Sequence, residues 1–367
     1  MNSLGLYLHV PFCRRRCLYC DFYSTQDLAL TQAFTDEICR ELARAAELYG
    51  NRPVETVYFG GGTPSLLSTA QLEQILFTVA KHFSLAQPQI TLEANPATLA
   101  EQDLGALRSM GVDRISLGMQ SAIDTELSAI GRLHSARQAL DSARAVERAG
   151  FAHLSLDLMY GLPGQTRESF AASLQAALST GADHLSTYCL TLAPHVPLAA
   201  THRPDEELEQ ALYTQCHTTL AEKGFTQYEI SNFALTEGES RHNQRYWDRR
   251  PVLGFGPGAH SFDGQRRWYN QEDLHAYVKN GPLVCEPQTL SPQDVWEETV
   301  MLSLRTARGL SYDRLLPLLP DGPQRIAAWE PKLTLWQELG LIKKSPQGFA
   351  LTPQGFFVSN TILADLI

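Results

Sequence analysis

The chain lacks the features that mark several large classes of protein. No stretch approaches the roughly 18–20 uninterrupted apolar residues that a membrane-spanning helix needs. The opening Met1-Asn2-Ser3-Leu4 has no basic stretch, and the first apolar run stops at Pro11. No secretory signal is therefore expected, and the chain reads as cytoplasmic. Cations are in deficit, with 30 Lys and Arg against 40 Asp and Glu for a formal charge of −10. Proteins that work by neutralising phosphates are ordinarily basic, so no nucleic-acid partner is expected. The 25 glycines and 20 prolines are scattered without period, which excludes collagen-like and low-complexity chains. No G-x-G-x-x-G follows the first strand-like run, which counts against a dinucleotide-binding sheet. What remains is 44% hydrophobic and 19% charged, enough for a sizeable core. At roughly 150 residues per domain, 367 residues suit two domains, or one large α/β domain with an appendage.

Seven cysteines, an odd number, fit a disulfide framework poorly. Cys39, Cys189, Cys216 and Cys285 stand alone in apolar or helical surroundings and read as small buried hydrophobes. The other three form Cys13-x3-Cys17-x2-Cys20, close enough on one loop to surround a single metal centre. Structural zinc wants four protein ligands, usually in two pairs, and no later Cys-x2-Cys or His-x3-His supplies the second pair. A four-iron cluster held by three thiolates keeps one iron open for an exchangeable ligand, which is the stronger reading; zinc and chance clustering are the weaker ones.

Strand-like runs over 4–10, 56–59, 89–94, 114–117, 154–158 and 184–190 alternate with helical patterns over 27–49, 68–83, 98–110, 135–149 and 166–180. Several of these helices have glycine stops at Gly50, Gly111, Gly150 or Gly181. Repeated βα units predict a parallel sheet, and six of them suit a partial (βα)6 TIM-like barrel over residues 1–203. Residues 204–290 read as an extension of the barrel, with a helix near 206–224, a polar and aromatic loop at Arg241–Trp247 and a glycine-rich run. Residues 291–367 read as helices followed by a small hairpin, a winged-helix-like α+β domain. The acidic balance favours a structural use of that domain over DNA binding.

In such barrels chemistry sits at the C-terminal ends of the strands. The cysteine loop follows strand one there, and Gly60-Gly61-Gly62-Thr63-Pro64-Ser65 follows strand two. Glu93 closes strand three, Gln120 follows strand four, and Asp157 ends strand five. Glycines let backbone N–H groups approach a polar ligand. A ligand with α-amino and α-carboxylate groups can chelate an open iron while Arg132 pairs its carboxylate and Glu93 or Asp157 holds ribose hydroxyls. S-adenosylmethionine is such a ligand.

The run Leu6-Tyr7-Leu8-His9-Val10-Pro11-Phe12-Cys13-x3-Cys17-x2-Cys20 resembles the opening of radical S-adenosylmethionine proteins of the oxygen-independent coproporphyrinogen oxidase-like branch. Gly60 to Ser65, Ser116-Leu-Gly-Met-Gln-Ser121, Ile130-Gly-Arg-Leu-His134, Asp157 to Thr166 and Tyr228-Glu-Ile-Ser-Asn-Phe233 are similar to it as well, so the resemblance covers nearly the whole chain. It implies that Cys13, Cys17 and Cys20 ligate a [4Fe–4S] cluster. It implies further that Tyr7, Tyr19, Gly61, Gly62, Thr63, Glu93, Gln120, Arg132 and Asp157 contact S-adenosylmethionine, whose reduction by the cluster yields methionine and a 5′-deoxyadenosyl radical.

Two departures set the chain apart from the oxidases of this branch. Those carry a further cysteine where this chain has Phe22, and a long N-terminal extension where twelve residues precede Cys13 here. His242-Asn243-x2-Tyr246-Trp247 instead resembles the signature of HemW-type haem chaperones. That resemblance implies a haem carrier in which His242, Tyr246 and Trp247 hold the cargo, imidazole being a good axial ligand and aromatics stacking on a flat macrocycle. The expected partners are haem and unidentified haem-accepting proteins, and a transient contact with a membrane surface is compatible with this reading. The alternative is oxidative decarboxylation of coproporphyrinogen III. Whether the fold acts as an enzyme, and in what oligomeric state, is left open by the sequence.

Overall fold

The computed structural model describes residues 3–367. Six strands lie side by side in chain order and run parallel: β1 (Leu4–Val10), β2 (Pro53–Gly61), β3 (Ser84–Ala94), β4 (Arg114–Gln120), β5 (His153–Tyr160) and β6 (His184–Cys189). Along them apolar residues that pack under the helices alternate with polar or small ones, the period-two pattern of strands whose two faces differ. In β1, Leu4, Leu6, Leu8 and Val10 are all fully buried.

The crossover helices are α1 (Thr31–Tyr49), α2 (Thr69–His82), the short pair α3 (Pro96–Leu99) and α4 (Leu104–Ser109), α5 (Asp124–Ala129), α6 (Ala136–Ala149) and α7 (Arg167–Leu178). Reciprocal capping boxes set three of their starts: Ser68 with Gln71, Ser135 with Gln138, and Thr166 with Ser169. Gly150 ends α6 in the left-handed conformation, at φ 76°. The helix expected over 98–110 is broken in two, because the Asp103 side chain accepts from Ala106 N–H and starts a second helix.

After helix α8 (Glu206–Glu222), short strands extend the sheet at both edges. Strands β7 (Thr226–Gln227) and β8 (Asn232–Ala234) join beyond β6, with β8 antiparallel to it. Helix α9 (Arg241–Trp247) follows, where a loop was expected; Ser240 caps it by accepting from Asn243 N–H. Strand β9 (Val252–Phe255) then pairs in parallel with β1, and β10 (His260–Phe262), β11 (Arg266–Tyr269) and, after helix α10 (Leu274–Asn280), β12 (Gln288–Thr289) continue outward. The resulting twelve-stranded sheet, from β12 to β7, curls but does not close, as a partial barrel should.

The C-terminal part packs α11 (Pro292–Leu304), α12 (Tyr312–Leu315) and α13 (Gly322–Glu338) against a three-stranded antiparallel sheet of β13 (Leu310–Ser311), β14 (Ile342–Ser345) and β15 (Gly348–Leu351). This is the expected winged-helix-like outline. Its core, with Trp296, Leu304 and Leu333, is continuous with that of the barrel. No helix among the described residues is long and apolar enough to cross a membrane.

Candidate functional site

The C-terminal strand ends surround a cavity of about 460 Å³. Cys13, Cys17 and Cys20 line it together with Tyr19, Gly61, Gly62, Thr63, Glu93, Gln120, Arg132 and Asp157. Eleven of the residues singled out in the sequence therefore meet at one mouth. Gln120 is the last residue of β4 where the sequence suggested that it follows the strand, and Asp157, expected at the end of β5, lies three residues inside it. Tyr7 is not on the cavity wall. Its ring sits one layer lower, stacked on Tyr58, and its hydroxyl lies 3.2 Å from His9 Nδ1.

The cysteine loop is held by the strands it faces. Cys13 Sγ lies 3.6 Å from Thr63 Oγ1 of the glycine loop. Arg132 donates to the Gly118 carbonyl at 2.6 Å and to Cys17 Sγ at 3.7 Å, while its buried Nε has no partner. Burial raises the Cys13 and Cys20 thiols, and the hydroxyl of Tyr19 beside Arg132 is raised for the same reason. A bound metal deprotonates a coordinating thiol outright, so that burial does not oppose ligation. No three His, Cys, Asp or Glu side chains among the described residues converge on a point where one ion could sit. The three thiols line one cavity.

Two strained or crowded backbones shape the opposite wall. Gln120 has φ 68° and Gly61 φ 107°. A Cβ on Gly61 would stand 2.6 Å from the His9 ring, and one on Gly62 2.7 Å from the Phe12 carbonyl, so only glycine fits at either place. The loop is drawn toward Glu93, which accepts from Gly61 N–H at 3.3 Å and from the Tyr58 hydroxyl at 2.7 Å. Burial pushes Glu93 up to about 7 and Asp157 up to about 6, the Tyr58 bond and the Ser186 bond respectively opposing that rise.

Beneath this cavity is a second, polar one of about 40 Å³, bounded by Thr91 and Glu93 of β3, Arg114 and Ser116 of β4, Ser155 and Asp157 of β5 and His184, Ser186 and Tyr188 of β6. These residues alternate along their strands, so they all face inward. The polar layer was missed in the sequence, although T-x-E, R-x-S, S-x-D and S-x-Y at matching strand positions carried the signal. Arg114 Nε and Nη1 and Thr91 Oγ1 have no partner within the protein, and the space beside them is polar and large enough for water.

Helix α9 packs against the N-terminal ends of β1 and β2. His242 is 1% exposed, with Nδ1 2.8 Å from Thr56 Oγ1, Nε2 3.2 Å from the Tyr246 hydroxyl and its ring stacked 4.9 Å from that of Tyr58. Burial, then the neighbouring Arg245, lowers its pKa to about 3. Arg245, also buried, binds the Ser3 and Pro251 carbonyls and Glu55. His242 is thus a buried residue whose two ring nitrogens both have partners within the protein. Tyr246 is exposed on its outer face and Trp247 half-buried, away from the cysteine loop.

Residues 7–177 match the family model described as the radical SAM superfamily, and residues 290–358 match the HemN C-terminal domain. The chain is 36% identical to the heme chaperone HemW of Mycobacterium tuberculosis over 86% of its own length and 84% of that protein. It is 32% identical to the heme chaperone HemW of Bacillus subtilis over 97% of each chain. With the mitochondrial radical S-adenosyl methionine domain-containing protein 1 of Bos taurus it shares 35% identity over 99% of this chain and 87% of that one. The fold is that of the solved coproporphyrinogen III oxidase (HemN) from Escherichia coli, with a TM-score of 0.84 over 100% of this chain and 90% of that chain at 24% identity. On relatives matched along nearly their whole length, the chain belongs to the radical SAM superfamily and, within it, to the HemW family.

Proposed function

We propose that the protein binds haem and transfers it to acceptor proteins, on a scaffold that holds a [4Fe–4S] cluster and S-adenosylmethionine. The observation that carries this reading is the near-full-length similarity to proteins named as heme chaperones, which spans the barrel and the C-terminal domain alike. Phe22 supports it, standing where the oxidases resembled carry another cysteine.

In this reading Cys13, Cys17 and Cys20 hold the cluster, and Arg132 anchors the loop that bears them. The Gly61, Gly62 and Thr63 backbone, Tyr19 and Gln120 frame the amino-acid end of S-adenosylmethionine. Glu93 and Asp157, at the floor, accept from ribose hydroxyls in their ionised forms. The cluster, when bound, supplies the electron that reduces a sulfonium. The walls orient that group and keep bulk water from it. Tyr7, whose ring stacks on Tyr58, supports the floor from below and completes the set of S-adenosylmethionine residues.

The test uses one anaerobically reconstituted sample. Haem is expected to bind and to pass to an apo-haemoprotein, and coproporphyrinogen III with reductant and S-adenosylmethionine is expected to release no carbon dioxide above background. Sustained decarboxylation without haem binding would replace the carrier by the oxidase.

A further inference from the structure

The contacts of α9 reach the floor of the main cavity. Thr56, Tyr58 and Gly60 alternate along β2 and so share its inward face, which runs from the helix to the glycine loop. His242 Nδ1 lies 2.8 Å from Thr56 Oγ1, and its ring is stacked 4.9 Å from that of Tyr58. The Tyr58 hydroxyl donates to Glu93 at 2.7 Å, and Glu93 in turn accepts from Gly61 N–H. Tyr7 completes the column, its ring stacked 6.1 Å from Tyr58 and 6.3 Å from His242. The glycine loop rests on these rings, because a Cβ at Gly60 would stand 2.9 Å from Tyr7, 3.0 Å from Tyr58 and 3.2 Å from Glu93. Asn243, the next residue of the helix, borders the small polar cavity together with Tyr58 and Glu93. Packing this close transmits a displacement at one end to the other.

In the haem-carrier reading, on which this inference rests, the cargo takes the His242 imidazole. Both ring nitrogens are engaged, one with Thr56 and the other with the Tyr246 hydroxyl at 3.2 Å, and the residue is buried. An iron can bind it only after one of these partners is given up and the ring has come away from Tyr58. Tyr58 then loses the neighbour that fixes its ring, and its hydroxyl is no longer held toward Glu93. The arrangement that suits S-adenosylmethionine is therefore the one in which His242 is packed in place. The arrangement that suits haem is the one in which it has moved out. A ligand shifts such an equilibrium by its differential affinity for the two states.

We propose that haem and S-adenosylmethionine oppose one another on this protein, linked through His242, Tyr58 and Glu93, so that S-adenosylmethionine entering the barrel favours release of the cargo to its acceptor. Such linkage is reciprocal: the factor by which one ligand weakens the other is the same in both directions. His242 and Tyr58 are, in this respect, positioning residues of the cofactor floor.

The experiment titrates hemin into the anaerobically reconstituted full-length protein at increasing S-adenosylmethionine, with the cluster kept oxidised so that the cofactor is not consumed. Soret absorbance reads hemin binding, calorimetry reads S-adenosylmethionine binding, and the cluster absorbance checks folding. Saturating S-adenosylmethionine is expected to weaken hemin binding about fivefold or more and then to reach a plateau, and saturating hemin to weaken S-adenosylmethionine by the same factor. Tyr58→Phe keeps the ring and removes the bond to Glu93. It is expected to retain the cluster and bind hemin, while the factor drops to about twofold or less. If hemin affinity is the same at every S-adenosylmethionine concentration, or falls without a plateau as direct competition for one cavity would make it, the linkage is overturned while the carrier reading stands. A wild-type factor in Tyr58→Phe overturns the route through Glu93. If wild type binds no hemin, the carrier reading falls and the linkage with it.

Discussion

Arg132 Nη1 lies 3.7 Å from Cys17 Sγ, while its Nη2 holds the Gly118 carbonyl at 2.6 Å. One guanidinium thus fastens the middle cysteine of the loop to β4, and its buried Nε has no partner within the protein. A lysine keeps the charge but not the fork. Arg132→Lys is expected to fold, to take up less iron on reconstitution, and to bind S-adenosylmethionine more weakly by about 1.5–3 kcal/mol. Iron content and calorimetry on the same sample measure both.

The buried acids give a pH dependence with a defined sign. Glu93, raised to about 7, and Asp157, raised to about 6, keep their protons in the native chain at pH values where the unfolded chain has lost them. The native state therefore binds more protons between about pH 4 and 7, and this contribution to the stability of the cofactor-free protein falls as pH rises through that window. Lowered histidines such as His242 act with the opposite sign, so the informative quantity is a difference. For Glu93→Gln and for Asp157→Asn, the stability of variant minus wild type is expected to rise with pH across that window, because the variant lacks the fall. S-adenosylmethionine affinity should run the other way, weakening as pH drops below about 6, because a protonated acid is a poorer acceptor for ribose hydroxyls. A flat affinity profile between pH 5.5 and 8 would count against these acids as ribose ligands.

His242→Ala is expected to act on stability. It removes a ring stacked on Tyr58 and leaves the Thr56 and Tyr246 hydroxyls short of a partner. The cost is about 2–4 kcal/mol, read as a lowered denaturant midpoint. Because the wild-type ring stays neutral to about pH 3, wild-type stability drains as pH falls below 6.5 and the unfolded chain takes up the proton. The variant should show a shallower acid limb.

At Gly61 the backbone is at φ 107° and a Cβ would fall 2.6 Å from the His9 ring. Gly61→Ala is expected to cost about 1–3 kcal/mol of stability and to displace the loop from Glu93. S-adenosylmethionine binding should fall more in this variant than in Gly105→Ala, where the nearest contact is the end of an Asp103 side chain at 3.3 Å.

Much of this was legible in the sequence because it rests on local signals. Apolar runs and capping residues marked the six strands and most of their helices, and three cysteines on one loop announced the mouth. Three things were hidden for physical reasons. Arg241–Trp247 is polar enough to read as a loop, and only the Ser240 cap and the space under β1 and β2 make it a helix. The surroundings of His242 could not be read locally, because its partners Thr56 and Tyr58 are nearly two hundred residues away. The inward layer of Thr91, Ser116, Ser155 and Ser186 consists of common residues, and their meaning comes from strand register alone.

The two outermost strands of the large sheet, Thr226–Gln227 and Gln288–Thr289, are only two residues long. An open barrel has two edges, and a long bare edge is a template on which another chain can add its own strand. Here each ladder tapers to almost nothing before it meets solvent. The opening that gives a bulky ligand room at the mouth is thus kept without offering neighbouring molecules a surface for sheet-to-sheet aggregation.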